Sequence, residues 1–248
     1  MKLELEAKAR ELKHVVDILH RFVMECKLKV SKTGIDIKVV DEAHVCMTVL
    51  ELSSEGFESL DTSGDGEIAI DVVKLREFLS LARAGDVVSM QLSEDERHLV
   101  GEMGNLTRRF RLQDPMGLST PKTPDLIHTA HATVAAAELQ RLVRAGKSLA
   151  QAIRFRAVPD RLVVSAEGDT DSIRLVLDSE LMAEYECPEA VQSTYDVEYL
   201  SNILAGAPGD GNVVLHLGNE YPLRLEHELN DGHWHVVHLL APRIETGG

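Results

Sequence analysis

Residues 8–23 read Lys-Ala-Arg-Glu-Leu-Lys-His-Val-Val-Asp-Ile-Leu-His-Arg-Phe-Val. Leu12, Val15, Val16, Leu19, Phe22 and Val23 recur every three to four residues, the spacing of an amphipathic helix. Arg10, Lys13, His14, Asp17 and Arg21 fall on the opposite side. Shifted by 127 residues, the stripe returns: Glu11-Leu12 meets Glu138-Leu139, Val15-Val16 meets Leu142-Val143, and Phe22 meets Leu149. The register continues without a gap through Leu28 with Phe155, Ile35 with Leu162, Ile37 with Val164 and Val49-Leu50 with Val176-Leu177. Asp71-Val72 and Leu75 then match Asp196-Val197 and Leu200 at an offset of 125, and Phe110, Leu112 and Pro115 match Val237, Leu239 and Pro242 at 127. A single register over roughly 40 residues reads as two copies of one fold.

Each copy carries a second helical stripe, Val72, Leu75, Phe78, Leu79 and Ala82 in the first and Val197, Leu200, Ile203 and Leu204 in the second. Most of the remainder reads as short strands: 26–31, 35–40, 45–52, 87–92, 107–112, 154–157, 162–166, 173–177, 213–217, 223–228 and 235–240. Many strands with two helices per copy predict an α+β domain whose sheets bury one face against the helices. Residues 113–125 hold three prolines and no periodicity, which marks an extended connector. The expected division is therefore 1–113, a connecting loop 114–128, and 129–248.

The chain has 248 residues, 26 Lys and Arg against 41 Asp and Glu, and a formal charge of −15. At 44% hydrophobic it is a folding chain rather than a disordered acidic tail. No uncharged apolar run is long enough for a membrane helix, and MKLELEAKAR lacks the apolar core of a signal peptide. The three cysteines, Cys26, Cys46 and Cys187, are scattered and imply a reducing compartment without a disulfide or zinc framework. Charge is uneven, however. The four helical segments, 8–21, 71–84, 135–148 and 196–205, hold ten basic and seven acidic residues, +3, which leaves −18 elsewhere. Arg141, Arg144, Lys147 and Ser148 repeat the polar face of the first helix. Such faces fit two readings, ordinary solvation and sequence-independent contact with phosphates. No aromatic residue interleaves with the charges, so a duplex backbone suits them better than a stacked single strand.

Catalytic and metal motifs are thin. Asp61–Glu67 begins like a calcium loop, but its twelfth position is Val72 where a bidentate Glu is needed. Ala145-Gly146-Lys147-Ser148 imitates the end of a phosphate loop, with Arg141 in place of the first glycine and a helical setting. His233, His235 and His238 are tempting for a metal, yet on a strand the first two share a face and the third points away. There is no G-x-S-x-G, and no Cys with a placed His. No enzyme activity, cofactor or metal is implied.

Several strings together resemble one family. Val39-Val40-Asp41-Glu42-Ala43-His44-Val45-Cys46-Met47, Ser54-Glu55-Gly56-Phe57-Glu58 and Leu240-Ala241-Pro242-Arg243-Ile244-Glu245 look like the sliding clamp family of proliferating cell nuclear antigen. Residues 68–81, the Glu167-Gly168-Asp169 turn and Tyr199-Leu200 are similar in kind and order, from Leu3 to Glu245. The connector and the lack of insertions look archaeal, which implies a cytoplasmic, nucleoid-associated protein, or a nuclear one in a eukaryote.

The resemblance implies a homotrimeric ring around duplex DNA, helices inside and sheets outside. Lys13, His14, His20, Arg141 and Arg144 match the family's DNA-facing positions; helix phase and charge add Lys74, Arg83 and Lys147, with Lys8, Arg10 and Arg21 at the ends of the first helix. Glu77, Ser80, Glu198 and Ala205 depart from the pattern, so the fourth helix adds little DNA contact. Val40, His44, Val45, Met116, Leu118, Leu126, Pro222, Leu239, Ala241, Pro242, Arg243 and Ile244 would frame a pocket for short apolar peptide motifs of polymerase, flap endonuclease and ligase. Leu239 stands where relatives often carry an aromatic residue; plain domain packing also accounts for these positions, and a turn role for His44. Ring closure would join the edge with Arg108, Arg109, Phe110 and Arg111 to the edge with Ile173, Leu175, Leu177, Asp178 and Glu180. The function implied is a DNA sliding clamp, set on DNA by a clamp loader, away from membranes. A checkpoint-type subunit of a mixed ring and an acidic binding module remain open beside it, and a hydrolase built on His233–His238 comes last.

Overall fold

A computed structural model describes residues 1–244; Glu245 of the last family string lies outside the described residues. In the first half the elements are β1 (Leu3–Lys8), α1 (Ala9–His20), β2 (Glu25–Ser31), β3 (Gly34–Val40), β4 (Cys46–Ser53), β5 (Ser59–Thr62), β6 (Gly66–Asp71), α2 (Val72–Leu79), β7 (Val87–Leu92), β8 (His98–Met103) and β9 (Leu106–Arg111). The second half repeats the order: β10 (Ala130–Ala135), α3 (Ala136–Gly146), β11 (Ala152–Val158), β12 (Arg161–Glu167), β13 (Ser172–Asp178), β14 (Glu184–Glu186), β15 (Val191–Asp196), α4 (Val197–Leu204), β16 (Asn212–Leu217), β17 (Leu223–Leu229) and β18 (Trp234–Leu240). The strands run β5-β1-β7-β8-β9 and β4-β3-β2-β6 in one half, β14-β10-β16-β17-β18 and β13-β12-β11-β15 in the other. Each position corresponds. The two copies legible as a shifted apolar pattern are two copies of one antiparallel α+β domain.

The helices form where the stripes predicted; α1, α2 and α3 each end about one turn early, and α4 runs to the end of its stripe at Leu204. In α1 the stripe residues Val15, Val16 and Leu19 are buried, and the amides of Phe22 and Val23 bond back to Leu19 in a closing turn. Ala82 likewise lies past the end of α2, and Leu149 past α3. Gly146 ends α3, so Lys147 and Ser148 sit in the turn beyond the helix rather than within it. A phosphate loop needs the opposite terminus, where free amides point outward.

Eleven strands match the sequence reading within a residue or two. Seven escape it, β1, β5, β6, β8, β10, β14 and β15. The division into compact units also differs from the expected boundaries. One unit comprises Met1–Lys122 with Glu228–Val236; the other runs from Thr123 to His227 and resumes at Val237. The tip of the last hairpin thus belongs to the first unit. Its Trp234 is fully buried, 5.2 Å from the Phe57 ring, and its Nε1 donates to the Ser53 carbonyl at 3.3 Å. Nothing in the local pattern reports that an indole is used across 181 residues.

The first unit's core joins Leu3, Leu5 and Ala7 of β1, the apolar faces of α1 and α2, and Val30, Ile35 and Ile37. Cys26, Cys46 and Cys187 are buried and free, and burial pushes the thiols of Cys26 and Cys46 up to about 12. A thiol so protonated is inert as a nucleophile.

Candidate nucleic-acid interface

The helices set out their cations by phase. On α1, Arg10 and Arg21 are exposed and Lys13, His14 and His20 half-buried, opposite buried Val15, Val16 and Leu19. On α3, Arg141 and Arg144 are exposed with Lys147 just past the helix, opposite buried Leu139, Leu142, Val143 and Gly146. Lys74 and Arg83 are exposed on and just after α2.

Five of the candidates are engaged within their own unit. Arg10 donates through Nε and Nη2 to Glu11 at 3.0 and 2.6 Å. Lys13 pairs with Asp17, which also accepts from Arg76 Nε at 2.6 Å and so ties α1 to α2. Partial burial opposes ionisation of Asp17, but the bonds from Lys13 and Arg76 hold its carboxyl below the ordinary value. Lys74 lies 2.7 Å from Asp71, the residue that caps α2 by accepting from the Lys74 amide. Arg141 reaches Glu138 at 2.8 Å, and Lys147 reaches Glu198 of α4 at 2.7 Å. Glu77 and Glu198 therefore act as partners, for Arg108 at 3.0 Å and for Lys147. Lys8, Arg21, Arg83 and Arg144 form no ion pair among the described residues. These four are the candidates whose charge no acidic side chain offsets among the described residues.

The two strands named for ring closure are edges: β9 ends one sheet and β13 ends another. Each offers a row of backbone groups unpaired on its outer side. On β9, Arg109 and Arg111 are exposed and carry no ion pair among the described residues. Phe110 is a correction. Alternation turns it inward, where it is buried edge-to-face on Phe78 at 5.6 Å with Arg108 stacked 5.2 Å above it. On β13, Ile173, Leu175 and Leu177 are half-buried and Asp178 exposed, with exposed Glu180 in the turn after it. Leu106, Val176 and Leu181 are exposed apolar residues on or beside these edges that a reading by charge passed over.

The residues expected to frame a peptide pocket fall in both units. In the first, Asp41 organises a turn after β3: Oδ1 accepts from the amides of Val45 and Cys46 at 2.9 and 2.7 Å, and Oδ2 from Ala43 at 3.1 Å. That turn holds His44 at φ 56° and exposed, between half-buried Val40 and Val45. Met116 sits 89% exposed on a single turn capped by Asp114, and Leu118 is half-buried. In the second unit Leu126, Pro222, Ala241 and Pro242 are half-buried and Ile244 is exposed. Two expectations change there. Leu239 is buried, and Arg243 is spent locally, its amide donating to Thr194 at 2.7 Å and its guanidinium to the Gln151 carbonyl at 3.0 Å, 3.6 Å from Asp196. Ile127, 84% exposed beside Leu126, was missed because one apolar residue in a Pro-rich connector carries no periodic signal. His233 lies in the turn before β18, 3.7 Å from Glu55, and His238 is fully buried, so the histidines of that run do not converge.

Residues 2–110 match the family pattern described as proliferating cell nuclear antigen, N-terminal domain, and residues 122–243 match its C-terminal domain. A DNA polymerase sliding clamp of Natronomonas pharaonis is 33% identical, over 93% of this chain and 94% of that protein. One of Methanothrix thermoacetophila is 32% identical over 96% of both. Among solved structures, A. fulgidus PCNA bound to the C-terminal region of FEN-1 superposes with a TM-score of 0.94 at 26% identity, covering 99% of this chain and 100% of that one. PCNA from Thermococcus kodakaraensis gives 0.89 at 28% identity, covering 97% and 100%.

Proposed function

The chain belongs to the proliferating cell nuclear antigen family, and from that premise we propose a DNA sliding clamp: a homotrimeric ring that encircles duplex DNA and tethers replication and repair enzymes. The supporting observation is the sorting of charge. In a chain of −15, Arg144 on α3 and Lys8, Arg21 and Arg83 in the segments flanking α1 and α2 stand without acidic partners among the described residues. Contacts of this kind are made to phosphate and read no sequence, so they allow movement along the duplex. Topological enclosure supplies retention, and tethering raises the local concentration of a bound enzyme at its substrate. The chain performs no catalytic chemistry in this role.

The open edges β9 and β13 suit a head-to-tail contact that closes on three copies, with Arg109 and Arg111 facing Asp178 and Glu180. Exposed Met116, Ile127 and Ile244 suit the short apolar motifs of a polymerase, a flap endonuclease and a ligase, and a clamp loader would open the ring. The protein would act in the cytoplasm, at the nucleoid. Molar mass in solution should be roughly three times 27.4 kDa. Loaded protein should stay on closed circular DNA and run off once the circle is cut; equal retention on both would overturn enclosure as the mechanism.

A further inference from the structure

The two units set different charges on the same sheet face. In the second unit one sheet runs β13-β12-β11-β15. Ile153, Phe155 and Ala157 of β11 and Leu162, Val164 and Ala166 of β12 are buried, so the residues that alternate with them point away from the core. Register lines those outward residues into rows across the four strands. One row is Thr194, Arg154, Ser165 and Arg174, and the next is Gln192, Arg156, Val163 and Val176. These two rows hold three arginines and no carboxylate. Acids return only in the rows that flank them, Asp196 and Glu167 on one side and Asp178, opposite Arg161, on the other.

Arg156 and Arg174 are exposed and form no ion pair among the described residues. Arg154 is half-buried, with Glu167 at 3.8 Å. The flanking groups are engaged nearby: Asp196 caps α4 through the amides of Glu198 and Tyr199, and Arg161 is held by Asp160 at 2.5 Å. The first unit balances the corresponding rows. There Lys27, Lys29 and Lys38 share the face with Asp36, Glu51 and Glu67; Lys29 lies opposite both Glu67 and Asp36, Asp36 lies opposite Glu51, and Lys27 reaches Glu67 at 3.2 Å. The fold therefore does not require a cationic face. The second unit has one in a chain whose formal charge is −15.

The patch is short, two rows between rows that carry acids. A long polyanion such as duplex DNA would run off it onto those carboxylates, and the two rows hold no aromatic residue on which a single strand could stack. Arg154 and Arg156, two residues apart on β11, stand about 6.7 Å apart along the strand, and Arg174 lies two strand spacings away, about 9.5 Å. An extended peptide repeats the side chains of one face at the same interval of about 6.7 Å. The guanidinium fork matches a carboxylate through two parallel hydrogen bonds. Half-buried Val163 and exposed Val176 lie in the same patch, where they can cover the methylenes of Glu side chains. We propose that this face of the second unit docks a short, extended acidic segment of a partner protein, with alternate carboxylates on Arg154, Arg156 and Arg174. The surface needs neither ring closure nor DNA.

A short labelled peptide alternating Glu and Thr, titrated into the full-length protein at low salt by fluorescence anisotropy, should bind saturably, and its Gln–Thr counterpart should not. Arg156→Ala and Arg174→Ala should each weaken binding about fivefold, the upper range of an exposed ion pair. The Arg156→Glu/Arg174→Glu double variant should abolish it. Lys29→Ala, at the matching position of the first unit, should leave it unchanged. All these residues but Arg154 are exposed, so the variants should keep the parent melting temperature. Retention on circular DNA tests the clamp separately and should be the same in every variant. No saturable binding of the Glu peptide, equal binding of the Gln peptide, or binding that survives the double variant would each overturn the assignment. Loss of single-stranded DNA binding in the double variant, with peptide binding intact, would make this a nucleic-acid face and overturn the peptide.

Discussion

In the first unit Phe78 on α2 meets Phe110 on β9 edge-to-face at 5.6 Å; in the second unit those two positions hold Ile203 and Val237. There the edge-to-face pair, again at 5.6 Å, is Phe155 on β11 with Tyr195 on β15, where the first unit has Leu28 and Ile70. The fold needs the volume and is indifferent to which elements supply it. Glycine moves with it. Gly101 lies beside Phe78 and Phe110, and a Cβ there would come within 3.0–3.1 Å of their rings. Gly146 stands where α1 has Leu19, and its Cβ would come within 2.8 Å of Ile153 and 3.1 Å of Ala166.

The helix faces diverge further. Asp17 in the first unit corresponds to Arg144 in the second, Lys13 to Gln140 and Arg76 to Ser201. One unit gathers two cations on a half-buried carboxylate. The other places at that position Arg144, which forms no ion pair among the described residues, and joins its helices through the Gln140 amide, which donates to Leu204 and Ala207 at 2.9 and 3.0 Å. Equivalent positions in one fold therefore hold opposite charges, and a count of basic residues misstates what a phosphate would meet.

The differences between the two units make measurable demands on stability. Phe155→Ala should cost about 3–5 kcal/mol in denaturant unfolding, and Phe78→Ala a similar amount; a loss below about 1 kcal/mol in either would mean that its unit does not depend on its pair. Asp71→Ala and Asp196→Ala remove the caps of α2 and α4, which accept from the amides of Lys74 and of Glu198 and Tyr199. Each should cost about 1 kcal/mol. Lys8 and Ala135 offer no side-chain cap to α1 and α3, so Lys8→Ala should not show this loss.

Asp17→Asn should cost on the order of 0.5–1 kcal/mol at neutral pH. Because the folded Asp17 carboxyl titrates below its ordinary 3.8, its contribution is complete above that value and disappears as pH falls through the lower folded one. Parent and variant should therefore converge in strong acid, and a gap that persists there would remove the ion-pair explanation. Smallest is the effect on DNA. Arg144→Gln should lower the slope of log affinity against log salt by about 0.9, roughly a twofold change per doubling of salt. Lys13→Gln should change it less, because Lys13 is already held by Asp17. Equal slopes would show that the pairing is irrelevant to DNA.

Four of the seven strands that escaped the sequence reading share a cause. β1, β6, β10 and β15 each run straight into a helix, from Lys8 to Ala9, Asp71 to Val72, Ala135 to Ala136 and Asp196 to Val197. With no turn residue between them, the helical period masks the strand. β5 and β14 are only four and three residues long, and β8 is interrupted by Gly101, which the Phe78–Phe110 pair requires. Of the candidate site, helix phase placed the cations of α1 and α3 opposite the buried apolar residues because phase is a local property. Phe110, Leu239 and Arg243 were misplaced because their partners lie elsewhere in the fold.

Duplication, two amphipathic helices per copy and the split of charge between helices and strands were settled by the amino-acid order alone, since each follows from neighbours a few residues apart. Which cations stay free, which aromatics meet and which arginines share a row were decided only by tertiary structure. Asp17 finds Arg76 59 residues away, and Arg174 joins the row of Arg154 only because β11, β12 and β13 pair in that register. Ion pairs and side-chain clusters form at contact distance, and the fold sets which residues are in contact.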